Sequence, residues 1–132
     1  MSDISRAHFK TYGLTHIALA VKNVERTVGF YEKVFGMEIM YREESWAQMC
    51  TPGTNDIIVF EQNENIAGKT GGGIMHFGFR LIDPEEISKV IDAVTSANAE
   101  ITSQGEFVPG EPYVFFKDPD GYEIEVWYEK LH

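Results

Sequence analysis

The chain writes one unusual strand twice. Residues 13–21 read "GLTHIALAV" and residues 73–81 read "GIMHFGFRL", so a histidine stands at the same offset from a glycine in two apolar runs. The segments downstream of the two copies repeat as well. After the first, Asn23 supplies an N-cap, Val24, Val28, Tyr31 and Phe35 are spaced for one helix face, and Gly36 provides a left-handed stop. After the second, Asp83 and Pro84 take the N-cap and first helical positions, and Glu86 completes a capping-box-like pattern. Ile87, Val90, Ile91 and Val94 form that helix's stripe, and Asn98 ends it. Strand-like segments come next: 38–42, 46–50 and 57–61 in the first half, 100–102, 113–117 and 122–128 in the second. The turns "TPGTND" and "DPDG" punctuate them. Both halves therefore read β-α-β-β-β.

The expected organisation is a single domain over 1–132, with one module at about 13–62, a linker at 63–72 and a second module at about 73–129. The linker "NENIAGKTGGG" reads as mobile. Its "GKT" is not a phosphate loop, because Asn63 stands where that motif requires glycine. A net charge of -10 argues against nucleic acid or an anionic membrane as partner. Cys50, the single cysteine, excludes an intramolecular disulfide and suits a reducing compartment. Residues 1–12 have no apolar signal region and no later run reaches membrane-spanning length, so a cytoplasmic location is expected.

Duplication of a packing unit explains the apolar positions but leaves the histidines unexplained. Strand alternation puts His16, Ala18 and Ala20 on one face, and Ile17, Leu19 and Val21 on the face that receives the helix. His76, Gly78 and Arg80 share the corresponding face of the second copy. Small neighbours leave room beside each imidazole, as a cavity would. In the last strand Glu123, Glu125 and Trp127 lie on one side, and a buried carboxylate there needs a partner. Two histidines and a glutamate are a donor set for an open divalent site. On spacing alone the alternative stays open: structural histidines, with Glu125 facing solvent at an edge.

The stretches "LTHIALAVKNVERTVGFYEKVFGMEI", "HFGFRL" and "YVFFKDPDGYEIEVW" together resemble the vicinal oxygen chelate superfamily, which includes glyoxalase I, extradiol dioxygenases, fosfomycin-resistance and bleomycin-resistance proteins. The resemblance implies an α+β fold of two tandem βαβββ modules, whose curved, mostly antiparallel sheets enclose a cavity. It implies His16, His76 and Glu125 as ligands of a divalent metal (Fe, Mn, Zn or Ni), a small-molecule substrate that chelates through oxygen, and a homodimer whose copies sometimes share ligands. It further implies a metal-dependent dioxygenase or lyase. Bleomycin-resistance members, which bind ligand without metal, supply the alternative.

Departures from particular branches narrow the expectation. Glyoxalase I carries a fourth ligand, a glutamate on the last strand of the first module. Aligning "PGTNDIIVF" with "PDGYEIEVW" puts Ile58 opposite Glu125, with Ile57 or Val59 one residue to either side, and none can bind a cation. Extradiol dioxygenases place a tyrosine where this chain has Phe115; Tyr113, two residues earlier on the same face, is the candidate catalytic hydroxyl. Fosfomycin-resistance enzymes share the three ligands, but the stretch 101–112 contains no Lys or Arg to meet a phosphonate, leaving Arg80 as the nearby cation. The ligand count thus points to the dioxygenase or fosfomycin-resistance branch, with a glyoxalase-I-like lyase or a metal-independent binder as alternatives. Met37, Met40, Met49 and Met75 read as core fillers; Trp127 and Phe115 read as core packing, with an apolar wall beside the site as the alternative role. His8 and His132 read as uninvolved.

Overall fold

The structure, a computed structural model, describes residues 8–68 and 73–130. In chain order it contains β1 (His16–Val21), α1 (Val24–Phe35), β2 (Glu38–Arg42), β3 (Trp46–Cys50) and β4 (Ile57–Gln62). Then come β5 (Phe77–Arg80), a 3-10 turn (Pro84–Glu86), α2 (Ile87–Ser96), β6 (Ile101–Glu106), β7 (Pro112–Lys117) and β8 (Glu123–Trp127). The strands form two sheets, ordered β1-β4-β3-β2 and β5-β8-β7-β6. In each, the first pair is parallel and the other two are antiparallel. One topology occurs twice, as the repeat requires, and neither sheet closes on itself.

Local chemistry sets the elements. The Asn23 side chain accepts from the Arg26 N–H at 3.0 Å, and Gly36 ends α1 at φ 64°. In the second module the Asp83 carboxylate accepts from the Glu85 N–H and caps the 3-10 turn, so α2 begins only at Ile87. Glu86 pairs with Lys89 at 3.2 Å instead of reaching back to Asp83, so no capping box forms. Asn98 adopts φ 59° just beyond the helix, as its role in stopping it requires.

Alternation in the strands decides which side becomes core. Leu19 and Val21 are buried against the helices whereas His16 and Ala18 are exposed. Tyr31, Phe60, Met49, Phe116 and Ile124 are fully buried in one cluster to which both modules contribute. Phe35 of α1 stacks on Phe79 of β5 at 4.1 Å. The "DPDG" turn fastens the modules together. Tyr31 donates its hydroxyl proton to Asp118 at 2.8 Å, and Asp120 accepts from the Lys22 N–H at 2.9 Å and from Arg26 at 3.2 Å. Tyr122 donates to the Ala20 carbonyl at 2.7 Å.

The end of the described part of the linker packs against the "DPDG" turn and Tyr122. Ala67 is buried, the Gly68 N–H donates to the Tyr122 hydroxyl, and a Cβ at Gly68 would collide with the Asp120 carbonyl oxygen. Residues 69–72, with most of the "GKT" stretch, lie outside the described residues, as does His132.

Both helices cover the same side, so the opposite face of each sheet is left open. Leu14 is 95% and Met75 84% exposed on the approaches to the two histidines. Met75 and Met40 therefore depart from the expectation of core fillers, which Met37 and Met49 meet. Met40 lies at a register shift in β2, an edge strand all of whose residues are exposed. Met75 precedes β5 and never enters the sheet. Among the described residues no helix is long and apolar enough to cross a membrane.

Candidate metal centre

His76 sits one residue before β5, and Glu125 lies in β8 opposite Gly78. Because β5 and β8 run parallel and adjacent, the imidazole and the carboxylate meet on the open face of the second sheet, with His76 Nε2 3.5 Å from Glu125 Oε1. The Glu125 side chain is 13% exposed, and among the described residues His76 is its one polar partner. Burial pushes the Glu125 pKa up, and the neighbouring imidazole opposes that shift. A half-buried carboxylate with no hydrogen-bond donor is short of positive charge, and a cation beside His76 would supply it.

Phe115, opposite Glu125 on β7, stands edge-on to the His76 ring with centroids 5.1 Å apart. Its packing fixes the imidazole from the side away from β5. Phe115 and Trp127 are thus half-buried on the open face rather than core residues, which departs from the expectation. The signal was available: both share the parity of Glu125 through the β7–β8 register.

His16 occupies the same strand position in the first module but does not join the pair. It is exposed and, with Leu14, Ile57 and Gly78, lines a cleft of about 200 Å³ between β1 and β5 from which His76 and Glu125 are absent. Among the described residues no three His, Cys, Asp or Glu side chains converge on a metal-sized site. A single copy of the chain therefore assembles two of the three expected donors.

Strand register also settles the position equivalent to Glu125 in the first module. Gly78, two residues after His76, faces Glu125, and Ala18, two residues after His16, faces Val59. The counterpart is Val59 and not Ile58, whose side chain is in the core. The substituent is still an alkyl group, so this position supplies no fourth ligand, although Glu61, two residues on, shares the face of Val59 and is exposed.

Tyr113 lies on the same face as Phe115 but carries its hydroxyl away from Glu125. The ring stacks on Phe107 at 4.2 Å, and its oxygen would be 3.2 Å from a Cβ placed on Gly105 of β6. Absence of a side chain at Gly105 lets the ring swing outward. Arg80 is likewise engaged, 5.4 Å over the Trp127 ring and 3.3 Å from Glu129.

Comparison with known proteins identifies the family and the fold. The sequence model of the glyoxalase/bleomycin resistance protein/dioxygenase superfamily matches residues 13–126, and the chain belongs to that superfamily. A putative lactoylglutathione lyase of Brassica oleracea var. gemmifera is 30% identical over 122 residues, covering 84% of this chain. The chain spans only 42% of that relative's length. A probable trivalent organoarsenical cleaving enzyme of Bacillus subtilis is 29% identical over 122 residues, covering 87% of this chain and 79% of its own. Among solved structures, the fosfomycin resistance protein FosX of Listeria monocytogenes superposes with a TM-score of 0.76 at 22% identity, over 92% of this chain and 97% of that one. The fold is shared; the relatives are named for different reactions.

Proposed function

We propose that the protein is a divalent-metal-dependent enzyme acting on a small oxygen-chelating substrate, and that its metal is held by His76 and Glu125 of one copy and His16 of a second. The observation that carries this reading is the His76–Glu125 pair on an open sheet face, with His16 on the equally open face of the other sheet. A homodimer that lays the first sheet of one copy over the second sheet of the other brings the three donors together twice, by symmetry. It also covers the exposed Leu14 and Met75.

Bound there, a divalent cation supplies Lewis-acid polarisation of substrate oxygens. The chain's own residues bind and orient. Glu125 contributes the negative charge, His76 a ring nitrogen with Phe115 packed against its imidazole, and Trp127 excludes water from one side. With Val59 where a fourth ligand would stand, three protein donors leave coordination positions open to substrate, as in the dioxygenase and fosfomycin-resistance branches. Tyr113 in this arrangement acts through its ring; a role for its hydroxyl in proton transfer requires the ring to turn from Gly105.

Titration of metal-stripped protein with Mn(II), Fe(II), Zn(II) and Ni(II), with mass measured in solution, tests the reading. The expected result is a dimer binding about one ion per chain, with binding lost in both His16→Ala and Glu125→Gln. A protein that takes up none of these ions would refute the metal reading and leave the metal-independent binder as the alternative.

A further inference from the structure

Resting on the metal-site reading above, we infer that the substrate carries a planar, apolar group beside its chelating oxygens, and that Trp127 and Phe115 receive it. Three features of the second sheet support this. First, the neighbours of Glu125 across and along the sheet are Phe115 on β7, Trp127 on β8 and the side-chain-less Gly78 on β5. Secondly, the Trp127 indole leans over Gly78, where a Cβ would meet its Cζ3 at 2.8 Å and the Glu125 carbonyl oxygen at 3.0 Å. Gly78 thus makes the space in which the indole sits as a wall immediately beside the metal pair.

Thirdly, the cations of the second sheet are, among the described residues, already engaged. Arg80 lies on the Trp127 ring and pairs with Glu129. Lys117, at the far end of β7, faces Glu123 in register and lines a groove on the helix side. A phosphonate or other dianion held at Glu125 would find aromatic edges where it needs guanidinium or ammonium groups. Among the described residues, the strands beside His16 in the first sheet, which the partner would contribute, place no cation next to it: Ala18 faces Val59, and Val59 faces Gln48. A flat hydrocarbon surface fits this lining, since aromatic contact stabilises a ring beyond its buried area alone.

The experiment compares two probes with one chelating head: acetohydroxamate, carrying a methyl group, and benzohydroxamate, carrying a phenyl. Both are titrated calorimetrically into the dimer loaded with Mn(II), and the loading is read from the Mn(II) electron-spin-resonance signal. The expected result is a phenyl preference of about tenfold or more, corrected for the two probes' affinities for free Mn(II). That preference collapses in Trp127→Ala and shrinks in Phe115→Leu, a milder change should the first variant fold poorly. Gly78→Ala, which pushes the indole into the site, weakens benzohydroxamate more than acetohydroxamate. Mn(II) bound without a phenyl preference, or methylphosphonate bound more tightly than benzohydroxamate, overturns the inference and leaves the metal reading standing. No Mn(II) bound overturns both.

Discussion

Replacing Asp118 with asparagine should stabilise the protein at neutral pH and do nothing in acid. Asp118 is only 5% exposed. It accepts from the Tyr31 hydroxyl at 2.8 Å, the Asp120 N–H at 2.9 Å and the Tyr122 N–H at 3.0 Å. Burial raises its pKa from 3.8 to about 6, and these hydrogen bonds offset only part of the shift. At about 1.4 kcal/mol per unit, holding the anion in the native state costs about 3 kcal/mol at neutral pH. Because the native pKa lies above the unfolded one, the carboxyl is most favourable below about pH 4, and its contribution is lost as pH rises through 6. In Asp118→Asn the remaining carbonyl oxygen still accepts both N–H groups, and the amide can donate to the Tyr31 oxygen without carrying charge. Urea unfolding of variant and wild type should therefore give a difference near zero at about pH 4, growing to about 2–3 kcal/mol in the variant's favour by about pH 7.5. Taking the difference cancels the other carboxylates. A difference that is flat with pH, or that favours the wild type increasingly as pH rises, would refute the argument from burial.

The geometry sets three further outcomes. Glu125→Gln should leave the metal-free protein at least as stable as the wild type in thermal melts at neutral pH, because it removes a carboxylate whose pKa burial already raises, while abolishing metal binding. Tyr113→Phe should keep metal affinity within about twofold by calorimetry, since the hydroxyl lies over Gly105 and not beside Glu125; a loss of more than about tenfold would mean the ring turns inward. Asn23→Ala should cost about 1 kcal/mol in urea unfolding through loss of the bond to the Arg26 N–H.

Much of this architecture is legible in the order of residues because each cue acts locally. The caps at Asn23 and Gly36 and the alternation of Leu19 and Val21 against His16 and Ala18 are decided within a few residues. The second helix shows the limit: Asp83 and Pro84 mark a helical start, but the tighter 3-10 turn forms first and Glu86 pairs forward with Lys89. Strand β6 runs on to Glu106, beyond the expected 100–102, because β7 offers it a partner through Pro112, a pairing that residues 103–106 do not reveal by themselves. At the site, the faces of His76 and Glu125 follow from parity, whereas the separation of His16 depends on how two sheets sit across one core. Gly105 gives the orientation of Tyr113, and it acts from a neighbouring strand that sequence spacing does not pair with it.

The central claim is a metal shared between copies, and subunit complementation tests it most directly. His16→Ala and Glu125→Gln proteins, each unable to bind metal alone, are unfolded together, refolded as a mixture and assayed for bound Mn(II). If the donors come from two copies, each mixed dimer holds one intact site, and random pairing restores about one site in four. If all three donors belong to one chain, no mixture contains an intact site, and recovery of no bound Mn(II) would contradict the account.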